Sequence, residues 1–464
     1  MNALGKNEAE ETRREGRQSF ALLTFGCKVN QYESHALREA WFLRGFSEAD
    51  EKTAAVVCVT TCAVTAKGVA DARAAIRRVH RENPAAAIIV TGCAAQVFGK
   101  ELGKLEGVAL VVPQQEKARL LYPGETLLVG ESLPDDSALP PAVNAADFFP
   151  PFAVTGYDRS RAVLKVQDGC SHRCTYCIVP LTRGRSVSRD PAATVAEARR
   201  LLDAGFREIV LNGINLAQYG RDFAHPHDFW DLVTLLEKEL TPEWAGRARL
   251  RLSSLEPGQL GAKALDVLGH SSLVAPHLHI SLQSGSYEVL RRMGRGHYNP
   301  GVLHGFCRDL AQVFPLFGLG ADVLSGFPGE TDAHAAENEA FLESLPFSYA
   351  HVFPYSRRPG TPAANWPEHV ESAVKKERAA RLRAIFAVKN AAFLERCAAL
   401  PEVTVAWEES TPGGVNEYYG ECVFTEGKEP LNASRRELVK AKPVGVYKGK
   451  LLVEPFSEPL WRKK

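Results

Sequence analysis

The chain has few of the features that mark exported or membrane proteins. Its first residues, MNALGKNEAEETRREGRQ, are polar and charged and lack the apolar run of a signal peptide. No stretch approaches the roughly 18 consecutive apolar residues from which a membrane-spanning helix is built. We therefore expect a cytoplasmic protein without a membrane partner, in which residues 1–18 form a disordered tail.

The chain also lacks an excess of charge of either sign. Lys and Arg total 56 and Asp and Glu total 55, so net charge neither supports nor excludes a nucleic-acid partner. Ten cysteines in 464 residues, without a secretory signal, favour metal ligation or redox chemistry over a disulfide framework. A chain of this length is expected to contain several domains.

The first domain is predicted to be a doubly wound parallel α/β domain. From Phe20 to about Val112, short β-rich runs such as SFALLTFG and AAVVCVT alternate with helical stretches such as QYESHALREAWFLRGF. This alternation is typical of a parallel sheet with helices on its faces. The next stretch, LPDDSALPPAVNAADFFPPFAV, is rich in Pro and Asp and has no period, which indicates a linker. We assign residues 19–130 to the domain and 131–158 to the linker.

A second series of strands predicts a βα barrel that stops short of eight units. Its six strands are RAVLKVQDG, REIVLNG, RLRLSS, HLHISLQ, LGADVLSGFP and AHVFPYS. In such barrels the turns at the carboxyl ends of the strands build the active site. We assign residues 159–395 to a partial (β/α)6 barrel with a connecting helix. Residues 396–464, with short strands and Gly turns, are predicted to form a small all-β barrel.

Three cysteines, Cys170, Cys174 and Cys177, follow the first strand of the predicted barrel. Thiolates hold zinc or iron–sulfur clusters, and close spacing on one loop lets three of them face a single centre. The alternative is a zinc site completed by a distant residue such as His172, although structural zinc usually has paired C-x2-C ligands. A four-iron cluster on three cysteines leaves one iron free, which suits chelation and reductive cleavage of S-adenosylmethionine (SAM).

A second set of cysteines, Cys27, Cys62 and Cys93, comes after three predicted strands of the first domain. Because the ends of parallel strands share one edge of a sheet, these thiols are predicted to meet there and hold a second cluster. Cys58 is interpreted as a core hydrophobe inside its strand, although it leaves the identity of the second ligand open. The remaining cysteines have no partner at ligand spacing and are interpreted as structural: Cys307, Cys397 and Cys422.

These motifs resemble the radical SAM methylthiotransferases, and the resemblance extends from about Phe20 to the end of the chain. The spacing C-x3-C-x2-C with Tyr176 before the last cysteine is similar to the radical SAM signature, and LNGINLAQYG, RLSSLEP, HLHISLQSGSYEVLRRMGRGHY and DVLSGFPGET match as well. The resemblance implies a cluster-binding first domain, a six-stranded radical SAM barrel and a TRAM-like RNA-binding barrel. GCKVNQYES resembles the branch acting on N6-threonylcarbamoyladenosine at position 37 of tRNA. One departure is Thr60-Thr61-Cys62, where the family usually has Asn-Thr-Cys.

The resemblance also implies a reaction with two [4Fe-4S] clusters and two molecules of SAM per turnover. The cluster on Cys170, Cys174 and Cys177 is implied to yield a 5′-deoxyadenosyl radical that activates carbon 2 of the adenine. The cluster on the other three cysteines is implied to present a sulfur that a first SAM methylates. The implied product is 2-methylthio-N6-threonylcarbamoyladenosine. Implied partners are a tRNA anticodon stem-loop bearing the base, an electron donor such as flavodoxin or ferredoxin, and a sulfur source.

Residues at the ends of the barrel strands are predicted to bind the cofactor. Tyr176 is placed to lie near its adenine, and Gly213 lets the backbone approach a ligand closely. The other candidates for hydrogen bonds to the methionine or ribose are Asn212, Ser253, Ser254, Glu256 and Gln283. For RNA the candidates are Arg183, Arg185 and Arg189, because Arg suits phosphate contacts; a solvated basic turn is the alternative.

Other functions remain open at this point. The same chemistry on a ribosomal-protein aspartate, or on isopentenyladenosine in tRNA, is opposed chiefly by the CKVNQYES stretch. A non-catalytic iron–sulfur sensor that binds RNA does not explain why two clusters would each keep an open iron. In the last domain four side chains are either RNA contacts or part of the barrel: Tyr418, Tyr419, Phe424 and Lys448.

Overall fold

The computed structural model of the chain describes residues 19–122, 149, 152–408, 413–430 and 436–456. The predicted tail, residues 1–18, and most of the predicted linker, residues 131–158, lie outside the described residues. Between them the described segments form a parallel sheet, a partial barrel and a small closed barrel. The residue limits assigned to the domains remain predictions.

The first unit is a five-stranded parallel sheet. Its strands are β1 (Ser19–Thr24), β2 (Ser47–Glu48), β3 (Val56–Thr61), β4 (Ala87–Gly92) and β5 (Val108–Pro113). Their order is β2-β1-β3-β4-β5, so the direction of winding changes between β1 and β3. In open α/β sheets, such a switch point is where ligands bind. The two-residue strand β2 has too little apolar character to be visible in the sequence.

Helices cover both faces of this sheet, as predicted for a doubly wound domain. α1 (Lys28–Phe42) packs on one face through Tyr32 and Trp41. The other face carries α2 (Ala66–Glu82) and α3 (Cys93–Leu102). Side chains alternate between the two faces of a strand, and both faces of β3 are covered by helices. Its residues are therefore apolar on both faces, which explains the continuous run of Val and Cys.

The second unit is the partial barrel. Its six main strands coincide with the six predicted ones: β6 (Arg161–Lys165), β9 (Glu208–Asn212), β10 (Arg249–Leu252), β12 (His277–Gln283), β13 (Gly318–Ser325) and β14 (Tyr349–Pro354). Two parallel sheets, β10-β9-β6 and β11-β12-β13-β14, are joined by a bridge between Leu250 and Val274. Three two-residue strands complete the unit: β7 (Gln167–Asp168), β8 (Val187–Ser188) and β11 (Ser254–Leu255).

The helices between the strands surround the barrel. They are α4 (Val179–Arg183), α5 (Pro191–Asp203), α6 (Phe229–Trp244), α7 (Ala262–His270), α8 (Tyr287–Arg292), α9 (Val302–Val313) and α10 (Asp332–Ser344). Along β12, Leu278 and Ile280 pack into the hydrophobic core, so the alternate residues His277 and His279 face the barrel lumen. The lumen is therefore polar, while the outer layer is apolar.

The third unit follows a long helix, α11 (Ser372–Ala398), and is a closed five-stranded barrel. Its strands are β15 (Val403–Glu408), β16 (Gly413–Asn416), β17 (Glu421–Phe424), β18 (Leu438–Tyr447) and β19 (Lys450–Pro455). Phe424 belongs to its core, whereas Lys448 is exposed. Tyr419 leaves the small barrel and stacks on His277 and Tyr349 at the start of two strands of the larger one. None of the helices in the described segments is both long and apolar enough to cross a bilayer.

Candidate active site

Cys27, Cys62 and Cys93 lie at one edge of the first sheet. Cys62 and Cys93 come directly after β3 and β4, and Cys27 follows β1 after two residues. Gly26 has a φ of 104°, and a Cβ there would lie 3.1 Å from the Cys62 sulfur, so glycine is needed for this approach. Burial raises the pKa of Cys62 to about 11, and the neighbouring Cys93 and Cys27 thiolates add to the shift. The structure thus brings the three thiols together beside the switch point between β1 and β3.

Cys58 does not join this group. It lies in the middle of β3, fully buried among apolar residues that include Phe20 and Ile89. Burial raises the pKa of its thiol to about 12, as it does for Cys177, so the position of Cys58 inside the strand, and not its acidity, separates it from the ligand candidates. Its environment is that of a core residue.

The loop that carries Cys170, Cys174 and Cys177 is held in one conformation by its glycine and its backbone. Gly169 has a φ of 65°, and a Cβ there would lie 1.8 Å from the Arg185 carbonyl oxygen, so no other residue fits. The Cys170 amide donates to the Gly184 carbonyl at 3.0 Å, and the Cys177 amide donates to the Cys174 carbonyl at 3.0 Å. Burial raises the pKa of Cys177 to about 12, and the Cys174 and Cys170 thiolates add to this. These three thiols also face one another.

Three nitrogen donors point at these sulfurs, and sequence reasoning missed all of them. Asn215 Nδ2 and Gln218 Nε2 each lie 3.7 Å from Cys170 Sγ, and Arg295 Nη1 lies 3.8 Å from Cys174 Sγ. Hydrogen bonds to sulfur stabilise the negative charge of a cluster and tune its reduction potential. The only signal was that these residues fall within LNGINLAQYG and RRMGRGHY, stretches already noted for their resemblance.

Two predicted cofactor residues have buried polar atoms without a partner in the described chain. They are Asn212 Nδ2, at the end of β9, and Ser253 Oγ, directly after β10. Such atoms carry a free-energy cost unless a ligand or water satisfies them. Both lie on the barrel rim that also carries the Cys170 loop. They therefore fit a polar ligand bound beside these thiols.

Glu256, another predicted cofactor residue, is buried and lies close to the nitrogens of three side chains. It lies 3.5 Å from His172, 3.1 Å from Arg295 and 3.4 Å from His297. Burial alone would raise the pKa of Glu256, but the hydrogen bonds from the two histidines and the Arg295 charge outweigh it and hold the pKa well below its ordinary value. His172 therefore faces the Glu256 carboxylate.

The remaining predicted cofactor residues lie around the same rim. Tyr176 packs edge-on against Phe327, which follows β13, at 6.3 Å between ring centroids. Ser254 is half-buried at the start of β11. Gln283 ends β12 with a φ of 67°, a strained conformation for a residue with a side chain, and such strain clusters at functional sites.

Gly213 has a packing role that differs from the predicted one. A Cβ at this position would lie 2.8 Å from Leu216 and 3.0 Å from Gln167, so side chains of the protein fill the space beside it. Glycine is therefore required here because the side chains of Leu216 and Gln167 leave no room for a Cβ. The roles of the cofactor-binding candidates as a set remain predictions.

Two of the three arginines predicted to bind RNA lie inside the protein, which corrects that interpretation. Arg183 is buried and pairs with Glu33 at 2.8 Å and with Asp168 at 3.0 Å. Arg189 is buried and pairs with Glu197. Neither guanidinium is available to a phosphate in this structure. Arg185 is exposed, and its contact with RNA stays a prediction.

The buried Arg183 belongs to a network of charged side chains between the sheet and the barrel. Glu33 on α1 accepts from Arg183, from Lys165 at 2.8 Å and from Lys117 at 3.2 Å. Asp168, two residues before Cys170, accepts from Lys165 at 2.6 Å. Burial would raise the pKa of Glu33, but the three cations outweigh it and hold this pKa well below its ordinary value. Fully paired buried charges of this kind fix the position of the elements that carry them.

The two groups of cysteines fit iron–sulfur clusters. Each provides three soft thiolate donors on one side of a centre. The Cys170 group adds nitrogen donors directed at sulfur and has unsatisfied polar atoms beside it. A [4Fe-4S] cluster on each group, with SAM at the second, is consistent with this arrangement.

Two family models match the chain. Residues 19–113 match the model described as Uncharacterized protein family UPF0004, and residues 164–342 match the Radical SAM superfamily. The first range covers the sheet that carries Cys27, Cys62 and Cys93. The second range contains Cys170, Cys174 and Cys177 and most of the partial barrel.

Relatives with assigned names are similar to the chain over most of their length. A threonylcarbamoyladenosine tRNA methylthiotransferase MtaB from Bacillus subtilis is 38% identical over 79% of this chain and 79% of the relative. Its namesake from Aquifex aeolicus is 34% identical over 81% of this chain and 90% of the relative. A tRNA-2-methylthio-N(6)-dimethylallyladenosine synthase from Lawsonia intracellularis is 31% identical over 79% of this chain and 82% of the relative.

Solved structures support the fold. The radical S-adenosylmethionine methyltransferase TsrM from Kitasatospora setae has a TM-score of 0.55 and 17% identity, covering 75% of each chain. At this identity the likeness concerns the fold alone. Taken with the sequence relatives and the two groups of three thiols, it leads to one conclusion: the chain belongs to the MtaB family of threonylcarbamoyladenosine tRNA methylthiotransferases, within the radical SAM superfamily.

Proposed function

We propose that this chain is a tRNA modification enzyme that methylthiolates carbon 2 of N6-threonylcarbamoyladenosine at position 37. The observation that carries the proposal is the pair of three-thiol groups, Cys27, Cys62 and Cys93 on the sheet and Cys170, Cys174 and Cys177 on the barrel. A methylthiotransferase needs one site that activates a carbon–hydrogen bond and another that delivers sulfur. The described chain has one group of thiols for each task, joined through a buried network.

When bound, SAM and its cluster supply the radical chemistry, and the second cluster supplies the sulfur. The side chains of the protein bind and orient. Asn212 and Ser253 offer unsatisfied buried polar atoms to the cofactor beside the Cys170 loop. Arg295 donates toward Cys174 and also pairs with Glu256, so it holds the negative charge of the thiolates and is itself held in place.

The RNA is proposed to approach through a basic cleft between the sheet and the barrel. A cleft of about 560 Å³ is lined by Arg73 and Arg77 of α2 and by Arg357 of the segment after β14, all at least partly exposed; the neighbouring Arg358 also lines it but is buried. Arg358 donates to the carbonyl of Ala63, the residue after Cys62, so the cleft borders the sulfur-delivering site. Arginine is suited to phosphate contacts, and this cleft replaces the buried Arg183 and Arg189 as the proposed backbone site.

Two further partners belong to this proposal. A radical SAM reaction requires an electron for its cluster, for which flavodoxin or ferredoxin is the proposed donor. Because each product contains one new sulfur atom, a sulfur source must restore the delivering site after turnover.

The proposal is tested by mass spectrometry of tRNA nucleosides from cells that lack the gene. The methylthio form of threonylcarbamoyladenosine is expected to disappear and to return when the gene is restored. Restoring a Cys174→Ala variant is expected to give no product. Loss of the methylthio dimethylallyl nucleoside instead would favour the second candidate substrate, that of the Lawsonia relative. If no tRNA nucleoside changes, the substrate is wrong, and ribosomal proteins are to be examined.

A further inference from the structure

Lys28 places a cation inside the barrel, although its backbone belongs to the sheet. It is the first residue of α1 and directly follows Cys27. The cavity beside its side chain, of about 280 Å³, also contains the carboxylates of Glu48 and Asp158, both of which pair with Arg38. Further lining residues are Thr24, Arg161, Val163 and Val210. These last three residues belong to β6 and β9 of the barrel. The cavity therefore lies between β1 and α1 of the sheet on one side and the barrel wall on the other.

The ammonium group of Lys28 has no hydrogen bond or ion pair with any described residue. The groups that interact with it electrostatically are the Tyr419 hydroxyl, the Arg161 and Arg251 cations and the Glu208 carboxylate. Glu208 is already bound by Arg249 at 2.6 Å and by Arg251 at 2.7 Å. Its charge is therefore compensated, and Lys28 remains a cation in a region already rich in arginine.

The wall opposite Lys28 does not supply the missing anion. On β13 and β14, Asp322 and His351 face the lumen, and Asp322 is engaged by His279 at 3.1 Å. His351 is exposed in the lumen and close enough to interact with Lys28. The half-buried Lys28 ammonium therefore lines the cavity without a carboxylate that pairs with it among the described residues, and such a cation is stabilised when an anion binds beside it.

The substrate of the proposed reaction carries such an anion. The threonyl group of threonylcarbamoyladenosine ends in a carboxylate, whereas a dimethylallyl group on the same nitrogen is apolar and uncharged. The modified carbon has to lie near the cluster on Cys27, and Lys28 is the next residue in the chain. We propose that Lys28 binds the threonyl carboxylate and thereby selects this base over adenosines with an uncharged N6 substituent; this rests on the proposed function.

The experiment measures binding of anticodon stem-loops to the cluster-loaded protein. Four stem-loops differ only at position 37: threonylcarbamoyladenosine, its threonyl methyl ester, dimethylallyladenosine and adenosine. They are compared for the wild type, for Lys28→Met, which keeps the length of the side chain without its charge, and for Lys28→Arg. Lys67→Met is the matched control, because Lys67 lies on the surface of the same sheet domain and is 83% exposed.

We expect Lys28→Met to weaken binding of the threonylcarbamoyl stem-loop by about 10- to 100-fold, the usual range for a lost charge-assisted hydrogen bond. The wild type is expected to bind the methyl ester as weakly as Lys28→Met binds the acid. Binding of the methyl ester by Lys28→Met is expected to be little weaker than either. Lys28→Arg should retain part of the preference. Lys67→Met should match the wild type with all four RNAs.

Three results would overturn the inference, and the third would overturn the proposed function as well. If Lys28→Met still prefers the acid over its ester, another group reads the carboxylate. If Lys28→Met weakens the binding of all four RNAs equally, Lys28 contacts a backbone phosphate. If the wild type itself fails to prefer threonylcarbamoyladenosine, the proposed function fails together with the inference, so the two failures are distinguishable.

Discussion

Arg183 donates a hydrogen bond at 2.6 Å to the side-chain oxygen of Asn30, a residue 153 positions earlier in the chain. The side-chain nitrogen of Asn30 donates in turn to the carbonyls of Phe25, at 2.8 Å, and Thr61, at 3.1 Å. Phe25 lies in the loop that carries Cys27, and Thr61 is the last residue of β3, directly before Cys62. The Asn30 amide thus holds the Cys27 loop next to the end of β3, which precedes Cys62. The Arg183 guanidinium connects this amide to the segment that follows Cys177.

The first prediction concerns Asn30. Replacing it with Ala removes the donors that hold the Cys27 and Cys62 loops together, so we expect the first cluster to be lost and the second retained. Iron per chain should fall from about eight to about four atoms, the content of one [4Fe-4S] cluster. Iron analysis and electron paramagnetic resonance check this.

Asn83→Ala is the matched control for Asn30. Asn83 also donates to two carbonyls, those of Glu51 at 3.1 Å and Ala54 at 2.9 Å, but these lie at the amino-terminal end of the strands. This variant should lose some stability and keep its full iron content. Equal iron loss in Asn30→Ala and Asn83→Ala would show that the iron is lost because the sheet domain is destabilised as a whole.

The second prediction separates Cys62 from Cys58. Cys62→Ala is expected to abolish binding of the first cluster, because it removes one of three thiolates at the edge of the sheet. Cys58→Val fills a similar volume in the core of β3 and is expected to keep both clusters. Absorbance near 400 nm after anaerobic reconstitution, with iron analysis, gives the comparison. Loss of the cluster in Cys58→Val alone would reverse the assignment of the second ligand.

The third prediction concerns the stability supplied by Arg183. Arg183→Gln leaves Glu33 and Asp168 with fewer partners in the interior, where breaking a buried ion pair costs about 3–5 kcal/mol. The comparison is Arg199→Gln, which removes a surface pair with Glu239 and should cost at most about 1 kcal/mol. Urea unfolding of the cluster-loaded proteins measures both. A similar small loss in both variants would contradict a stabilising role for the network.

The fold could be predicted well because its signals are local. The β-rich runs of the sheet and the six strands of the barrel all stand where their apolar patterns indicate. The short strands β2, β7, β8 and β11 have two residues each and are defined by their neighbours, so no pattern in the sequence reveals them. The edge shared by Cys27, Cys62 and Cys93 follows from parallel topology and needs no knowledge of side chains.

The sequence was less informative where the environment of a side chain decides its role. Arg183 and Arg189 stand in a basic stretch that is typical of an RNA contact, but Glu33 and Glu197, which bury and pair them, come from distant parts of the chain. Asn215, Gln218 and Arg295 were missed for the same reason, since only folding directs them at the cysteine sulfurs. Lys28 is adjacent to Cys27 in sequence, yet one wall of its cavity comes from strands more than a hundred residues away.

The fourth prediction tests the basic cleft. Replacing both Arg77 and Arg357 with Gln is expected to weaken tRNA binding for modified and unmodified RNA alike. Each lost phosphate contact should reduce the slope of log affinity against log salt by about one. Arg308→Gln is the control, because Arg308 is 76% exposed on α9 and does not line the cleft. An unchanged salt slope in the double variant would place the RNA on another surface.

The most direct test of the account is the product formed by the purified enzyme, loaded with both clusters and supplied with SAM, a reductant and a sulfide source. Its substrate is a stem-loop bearing threonylcarbamoyladenosine at position 37, and the nucleosides are analysed by mass spectrometry. The account predicts the 2-methylthio nucleoside with the wild type and none with Cys174→Ala or Cys93→Ala, although each variant retains one cluster. Product from either variant, or methylthiolation of the dimethylallyl stem-loop in preference, would contradict it.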